Sequence, residues 1–402
     1  MMRAHRSAIA DKIQCLRAFL GGRCPPEELG FHGPGDLLDG VAPARVLCLG
    51  KAARALARGA AARWPGLPGF LFEPSHGAPG SVPGGFRAAG GDHPVPGRAS
   101  IEGTRALYAW LAGSRGPLLV LVSGGTSSLL ADPPPPWTLA KVAALERALL
   151  DSGAPVCDVN AVRIRLSAAR GGGLRSRAGA WPVFTGVWCD VAPGRWRLTG
   201  SAPMLAPGRL PLAEDVLARL GLAAAAPLPP RRAVRAGRGD GAACLADSFA
   251  LAEAAAAWLR REGWDARRVP SREGAEAGEV VRGLLRRAAG ARRPAAFVGS
   301  GEAPVRVAVR GRGGRCAHLA CTAALALAGR PGWTFAALAT DGVDGEAGGG
   351  AVLSAGSSPG PDALAAALAR CDTAPLLSAC GGLLPRRPTG NNLRDLWVLY
   401  ME

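Results

Sequence analysis

Short apolar runs of five or six residues, most of them ending on Gly, Ser or Asp, recur along this chain with helical stretches between them. RVLCLG (45–50), LLVLVSGG (118–125), VFTGVWCD (183–190), AAFVGSGE (295–302) and FAALATDG (335–342) are the clearest. That alternation is the mark of α/β layering, with helices packed on sheets. Strands are expected at 45–49, 70–73, 118–123, 183–187, 295–299, 305–309, 335–339 and 396–400. Helices are expected at 52–63, 101–112, 140–152 and 247–262, and the first 22 residues read as an amphipathic helix. Because so many strands end in small or acidic residues, ligand groups are expected at the strands' carboxyl ends.

A chain of 402 residues suits two or three domains, two being simplest. LAAAAPLPP (222–230) is Ala/Pro-rich and uncharged, so it reads as a linker and sets the expected domains at 1–229 and 230–402. No apolar run reaches the length of a bilayer span and no cleavable leader is evident, so a soluble, cytoplasmic protein is expected. The net charge of +17 raises nucleic acid as a partner. Arginine, however, is the default charge throughout, the basic residues form only short pairs, and aromatics to stack on bases are few, so a solvated surface is the better reading. Ten cysteines include no Cys-x-x-Cys pair, and Cys316-Ala-His318-Leu-Ala-Cys321 lacks zinc spacing, so reduced thiols are expected.

The loop Ser123-Gly124-Gly125-Thr126-Ser127-Ser128 matches neither a nucleophile elbow nor the two common phosphate-loop spellings. It is either a plain tight turn or an anion cradle in which glycines admit the ligand and hydroxyls and a helix N-terminus hold it. Lys51 follows a strand at the entry to a helix, where a cation is disfavoured unless an anion offsets it. Asp190, Glu302, Asp341 and Asp344 follow strands. They suit Mg²⁺ binding or proton transfer, or else Asx-turns and helix caps. Arg312 and Arg315, among glycines, suit an anion or a plain basic loop. Asn160, Arg163 and Arg170 fall in a segment that reads as one helix ending at Gly171. The inventory fits phosphoryl transfer without naming a substrate.

Eight short motifs, in order, resemble the type II glycerate 2-kinase family, built from DUF4147 and MOFRL domains. They are LGKAA around Lys51, GDHPVP (91–96), SGGTSSLL (123–130), NAVR-RLSAARGGGL from Asn160, the strand ending Asp190-Val191, SGE (300–302), GRGGR (311–315) and TDGVDG (340–345). The resemblance implies a Rossmann-like three-layer α/β/α N-terminal domain. It implies a smaller α/β C-terminal domain, with its MOFRL region at about 294–400, and an active cleft between the two. It also implies transfer of the γ-phosphoryl group of ATP, with Mg²⁺, to the 2-hydroxyl of D-glycerate or to a related hydroxy acid. On that basis Lys51, Asp190 and Arg315 are catalytic. Ser123, Gly124, Gly125, Thr126, Ser127, Asn160, Arg163, Arg312 and Glu302 bind substrate or phosphate, and Asp190 and Asp341 hold the metal. Partners are the small-molecule acid and ATP, with no specific nucleic acid and no membrane, in a monomer or homodimer. Departures fall within the motifs: Ala192-Pro193-Gly194 after Asp190, Cys316-Ala317-His318 after the Gly-Gly-Arg, and Asn391-Asn392-Leu393-Arg394-Asp395 near the end. They leave two readings, a kinase with a remodelled pocket and a non-catalytic relative that binds a ligand or partner.

Overall fold

A computed structural model describes residues 38, 40–76, 81–113, 115–192, 194–234, 236–306 and 311–402. The expected first helix and residues 307–309 of the expected strand 305–309 lie outside them, and residues 305–306 are irregular. The chain divides into two compact units, with the change at Asp247/Ser248.

The first unit carries strands β1 (Arg45–Leu49), β2 (Gly69–Pro74), β3 (Phe86–Gly91), β4 (Leu118–Ser123), β5 (Val183–Trp188) and β6 (Gly241–Ala246). All pair in parallel, in the order β3-β2-β1-β4-β5-β6. This is the doubly wound nucleotide-fold order, in which the direction of winding reverses between β1 and β4. Helices α1 (Ala53–Arg63), α2 (Arg98–Gly113), α3 (Thr126–Leu129), α4 (Leu139–Asp151), α5 (Val156–Arg163) and α6 (Ala213–Leu220) belong to this unit. Leu47, Leu49, Phe70, Phe72, Val120 and Val122 form a core with Leu107, Trp110 and Leu111 of α2. The alternate residues Val46, Cys48, Leu71 and Leu121 are buried too, and α1 lies against β1, β2 and β4. Burial on both faces is why these strands read as unbroken apolar runs.

The segment expected as a linker, 222–230, is irregular. The chain beyond it contributes β6 to the first sheet, however, so this unit continues to Asp247 rather than to residue 229. The helix expected to reach Gly171 ends at Arg163. Gly171 and Gly172 adopt left-handed backbone, and their N–H groups donate to Ser201 and Ala202, so the chain turns away there.

The second unit holds α7 (Ser248–Arg261), β7 (Asp265–Arg268), α8 (Ala277–Ala288), β8 (Ala295–Gly301), α9 (Arg315–Ala326), β9 (Trp333–Ala339), β10 (Gly350–Ser354), α10 (Pro361–Ala369), α11 (Thr373–Ala379), β11 (Leu383–Leu384) and β12 (Asp395–Met401). The sheet order is β11-β10-β9-β12-β8-β7. β12 is antiparallel to both neighbours, and β7 and β8 are parallel. Phe297, Phe335, Trp397 and Leu399 pack with Val280, Val281 and Leu284 of α8 and with the small residues of α9, while α7 packs against β7, β8 and β12. No helix among the described residues is long and apolar enough to cross a membrane.

Candidate functional site

In the first unit the ends of β1 and β4 meet where the sheet order reverses, the place where open parallel sheets bind ligands. Gly50 leaves β1 with φ +102°. A Cβ there would stand 2.5 Å from the carbonyl oxygens of Ser123 and Gly124. The Lys51 N–H donates to the Gly124 carbonyl at 2.8 Å, so the two turns are tied backbone to backbone. At Gly125, φ +84°, a Cβ would lie 3.0 Å from Lys51 Cγ and 3.3 Å from the His93 ring. The Lys51 and His93 side chains therefore flank a glycine that leaves room for nothing larger. Asp190, half-buried, follows β5 at this same carboxyl edge.

The hydroxyls of the loop are arranged differently from the expected cradle. Ser123 is fully buried; its Oγ donates to the Leu49 carbonyl at 2.8 Å and accepts from the Ala52 N–H at 3.1 Å. Thr126 Oγ1 donates to the Ser123 carbonyl (2.7 Å), and Ser128 Oγ to that of Gly125 (3.2 Å). These three hold the turn together, because a buried hydroxyl needs a partner. Ser127 differs: it is half-buried, with Oγ 2.7 Å from Ser201 Oγ. The helix it lies in, α3, has only four residues, so the expected helix-terminus field is slight. Around this turn the groups left over from bracing it are the Gly124–Gly125 backbone, Lys51, His93 and the Ser127–Ser201 pair.

Asn160 and Arg163 lie elsewhere in the unit's hydrogen-bond scheme than a substrate role predicts. Asn160 is buried within α5 and its Nδ2 donates to the Val156 carbonyl at 2.9 Å. Arg163 Nε stands 3.1 Å from Glu146 Oε2, and Arg170 Nη1 bonds Glu146 Oε1 at 2.5 Å. Glu146 and Arg170 are wholly buried, so this carboxylate fastens α4 to α5 and to the turn after it. Burial, with Arg170 adding repulsion, pulls Arg163 below the usual guanidinium range, while Glu146 opposes the shift.

The second unit gathers its charges at the start of α9. Arg315, the first residue of that helix, donates from Nε to Asp395 Oδ2 (3.0 Å) and from Nη2 to Oδ1 (3.2 Å), and its Nη1 stands 3.0 Å from Glu302 Oε1. Arg394 grips Glu273 with both Nη atoms (2.9 and 2.7 Å), and its Nη2 is 3.5 Å from Glu302 Oε2. Glu302 thus bridges two guanidinium groups. Burial pushes the Asp395 carboxyl up to about 7; Arg315 pulls it down, and Glu302 and Asp344 add to the rise. Arg315 is fully charged, since Asp395 and Glu302 outweigh its own burial.

Asp344 accepts from the Cys316 and Ala317 N–H groups at 3.0 and 2.8 Å, so it caps α9. Asp341 Oδ1 accepts from the Val343 N–H at 3.0 Å, an Asx-turn. Arg312, far more exposed than Arg315, is paired with Asp372 through Nε and backbone N–H and does not join the cluster. Of the expected residues, the structure brings together Lys51 with Gly124 and Gly125, and Arg315 with Glu302. Sequence reasoning assigned no role to His93, Ser201, Glu273, Arg394 or Asp395. The charged pair Arg394-Asp395 directly before the wholly apolar LWVLYM was the available signal for two of them. Among the described residues no three metal-ligating side chains stand together, and the eight described cysteines are free thiols.

The profile described as "Domain of unknown function (DUF4147)" matches residues 29–234, and that of the MOFRL family matches residues 295–395. This chain belongs to the DUF4147–MOFRL family. The glycerate 2-kinase resemblance read from its motifs is a resemblance to members of that family. A protein of Agrobacterium vitis named "Putative hydroxypyruvate reductase" is 32% identical, over 89% of this chain and 86% of its own length. A D-glycerate 2-kinase of Thermotoga maritima is 29% identical, over 76% of this chain and 78% of its own. The crystal structure of a glycerate kinase from Thermotoga maritima superposes with a TM-score of 0.80 at 24% identity, covering 98% of this chain and all of that one, which establishes the shared two-unit α/β fold.

Proposed function

We propose that this DUF4147–MOFRL protein is a kinase that transfers the γ-phosphoryl group of ATP to a hydroxyl of D-glycerate or a related hydroxy acid. One observation carries the reading: Lys51 stands over the Gly124–Gly125 backbone at the reversal of the sheet, where a lysine has an anion as its natural partner. The relative named D-glycerate 2-kinase supports it. A dehydrogenase reading, suggested by the other relative's name, finds less support. The first strand–helix turn, Leu49-Gly50-Lys51-Ala52-Ala53, puts a lysine and alanines where a dinucleotide pyrophosphate requires glycines.

In this reading Lys51 and the backbone of Gly124 and Gly125 hold phosphate, with Ser127 as a further donor. Arg315 neutralises charge on the transferring group or on the acid. Asp190 orients the metal or takes the proton from the attacking hydroxyl. Asn160 and Arg163 act behind the phosphate loop, through the segment that Arg170 and Glu146 anchor. Arg312 contributes general positive potential from the surface. Magnesium is commonly held by one or two carboxylates, with phosphate and water completing its shell, so the lack of a three-ligand cage among the described residues is compatible with it. Asp190 is the carboxylate assigned to it in the first unit; Asp341, in the second, is a separate candidate. Bound there, Mg²⁺ would neutralise phosphate charge. Phosphoryl transfer draws most of its acceleration from such positioning and charge neutralisation.

The test is phosphorus NMR of purified protein with Mg²⁺, ATP and D-glycerate. Formation of 2-phosphoglycerate, reduced at least about a hundredfold in Lys51→Ala, is the expected result for loss of one electrostatic group. No phosphorylated product with any hydroxy acid, together with no nucleotide-induced rise in melting temperature, overturns the reading. NADH oxidation with hydroxypyruvate in place of phosphorylation would favour the dehydrogenase.

A further inference from the structure

Arg394 is the most anomalous residue in the second unit. Its φ is +70°, a conformation open to Gly and Asn and uncommon for Arg. The strain is held in place by Thr340, whose Oγ1 and backbone N–H both donate to the Arg394 carbonyl (2.6 and 3.0 Å). The side chain is 4% exposed, and its buried Nε has no hydrogen-bond partner. A buried cation is tolerated when its geometry is excellent and its donors are met. Here its carboxylate partners reach solvent: Glu273 is 53% exposed and Glu302 40%. Arg394 is far more enclosed than its acids, whereas Arg315, 42% exposed, is as open as Glu302 and owes its placement to Asp395. Arg315 is fixed by the enclosed Asp395, and Arg394 by its own burial and the Thr340 clamp.

Two guanidinium groups, each anchored on its far side, therefore share one solvent-accessible carboxylate, Glu302, and the inner one grips a second, Glu273, in a planar two-point contact. We propose that Glu273 and Glu302 stand in for the two carboxylates of the acceptor, and that Arg394, with Arg315, selects a hydroxy acid bearing two acidic groups over one bearing a single group. The proposal rests on the kinase reading for its substrate class. Carboxylates from the ligand displace carboxylates from the protein, so the fork contacts are kept and the exposed glutamates return to water. A monocarboxylate such as D-glycerate replaces only one of them. Lysine in place of Arg394 would keep the charge and lose the planar fork.

The test is calorimetric titration, without nucleotide, of tartronate and D-glycerate into wild type, Arg394→Asn and Arg394→Lys. Asn accepts the left-handed backbone, so the first variant relieves strain while removing the cation. Wild type is expected to bind tartronate about tenfold or more tighter than D-glycerate, the size of one charge-assisted contact. Arg394→Asn should bring the two within about threefold, and Arg394→Lys should fall between. Should Arg394→Asn fail to fold, Glu273→Gln removes a resident competitor and should tighten tartronate several-fold. An unchanged ratio in Arg394→Asn, or equal weakening of both acids, overturns the proposal, as does an unchanged tartronate affinity in Glu273→Gln. Binding is read without turnover, so the two readings fail separately. Tartronate selectivity lost in Arg394→Asn supports this inference even with no phosphoryl transfer. Phosphorylation of D-glycerate with no tartronate preference upholds the kinase and overturns the inference.

Discussion

Asp341 and Asp344 look alike in the string TDGVDG, yet one forms an Asx-turn and the other caps a helix that starts much earlier in the chain, at Arg315. Which acid does which depends on where α9 ends up, and that is settled by packing rather than by the local string. The same holds for Glu146, an ordinary residue of an amphipathic helix until α5 and Arg170 close over it. What the string did flag at this scale was Lys51, a lysine in an arginine-rich chain, and the fold sets it beside Gly124 and Gly125. Asp395 yields a pH prediction. Its folded pKa of about 7 lies above the unfolded value of about 3.9, so the native state holds the proton longer than the unfolded chain. Its contribution to stability is therefore full below about pH 4 and is lost as pH rises toward 7. Urea unfolding of wild type between pH 4.5 and 7.5 should show this downward component, and Asp395→Asn should lack it. Parallel pH profiles for the two proteins would show that Asp395 is ionised throughout.

Strands with aliphatic side chains were legible, and their ends were right to within a residue or two. β3 (FRAAGG), β6 (GAACLA) and β7 (DARR) were not, since Ala, Gly and Arg carry little strand preference and these segments are extended because a neighbour pairs with them. β10 was hidden behind the glycines at 348–350. The serine-rich turn misled in a specific way: its hydroxyls suggested a ligand, while three of them brace the turn and α3 is a single helical turn. The junction of β1 and β4 is the more informative element. Gly50→Ala forces a Cβ onto two carbonyl oxygens at a left-handed position and should cost about 2–3 kcal/mol or more; under the kinase reading it should also abolish the nucleotide-induced rise in melting temperature. Gly66→Ala is the control: φ is +80° with nothing within 4 Å, so it should cost about 1 kcal/mol and leave binding intact. Equal melting temperatures for the two variants would show that the β1–β4 contact is slack.

Across the whole molecule, the charge of +17 is dispersed. Many surface arginines are paired one by one with acids, such as Arg98 with Glu102, Arg165 with Glu214, Arg219 with Asp158 and Arg272 with Glu279. Binding to duplex DNA should accordingly be non-specific and fall by about a hundredfold or more between 50 and 200 mM salt; retention at the higher salt would reveal a true nucleic-acid face. The broad architecture was legible because periodicity and turn chemistry are local. The 3-2-1-4-5-6 order and the central place of β12 were not, because they are facts about distant partners. That last placement reaches into biosynthesis. β12 lies between β8 and β9, yet the ribosome makes it after every strand it joins. Until it emerges, β8 and β9 each present an open edge, Arg315 has no Asp395 to meet, and α9 lies over an unfinished core. A message cut short by a few codons before residue 395 would thus yield a second unit that fails as a whole rather than in part, and cellular proteases would meet it with its edges unpaired.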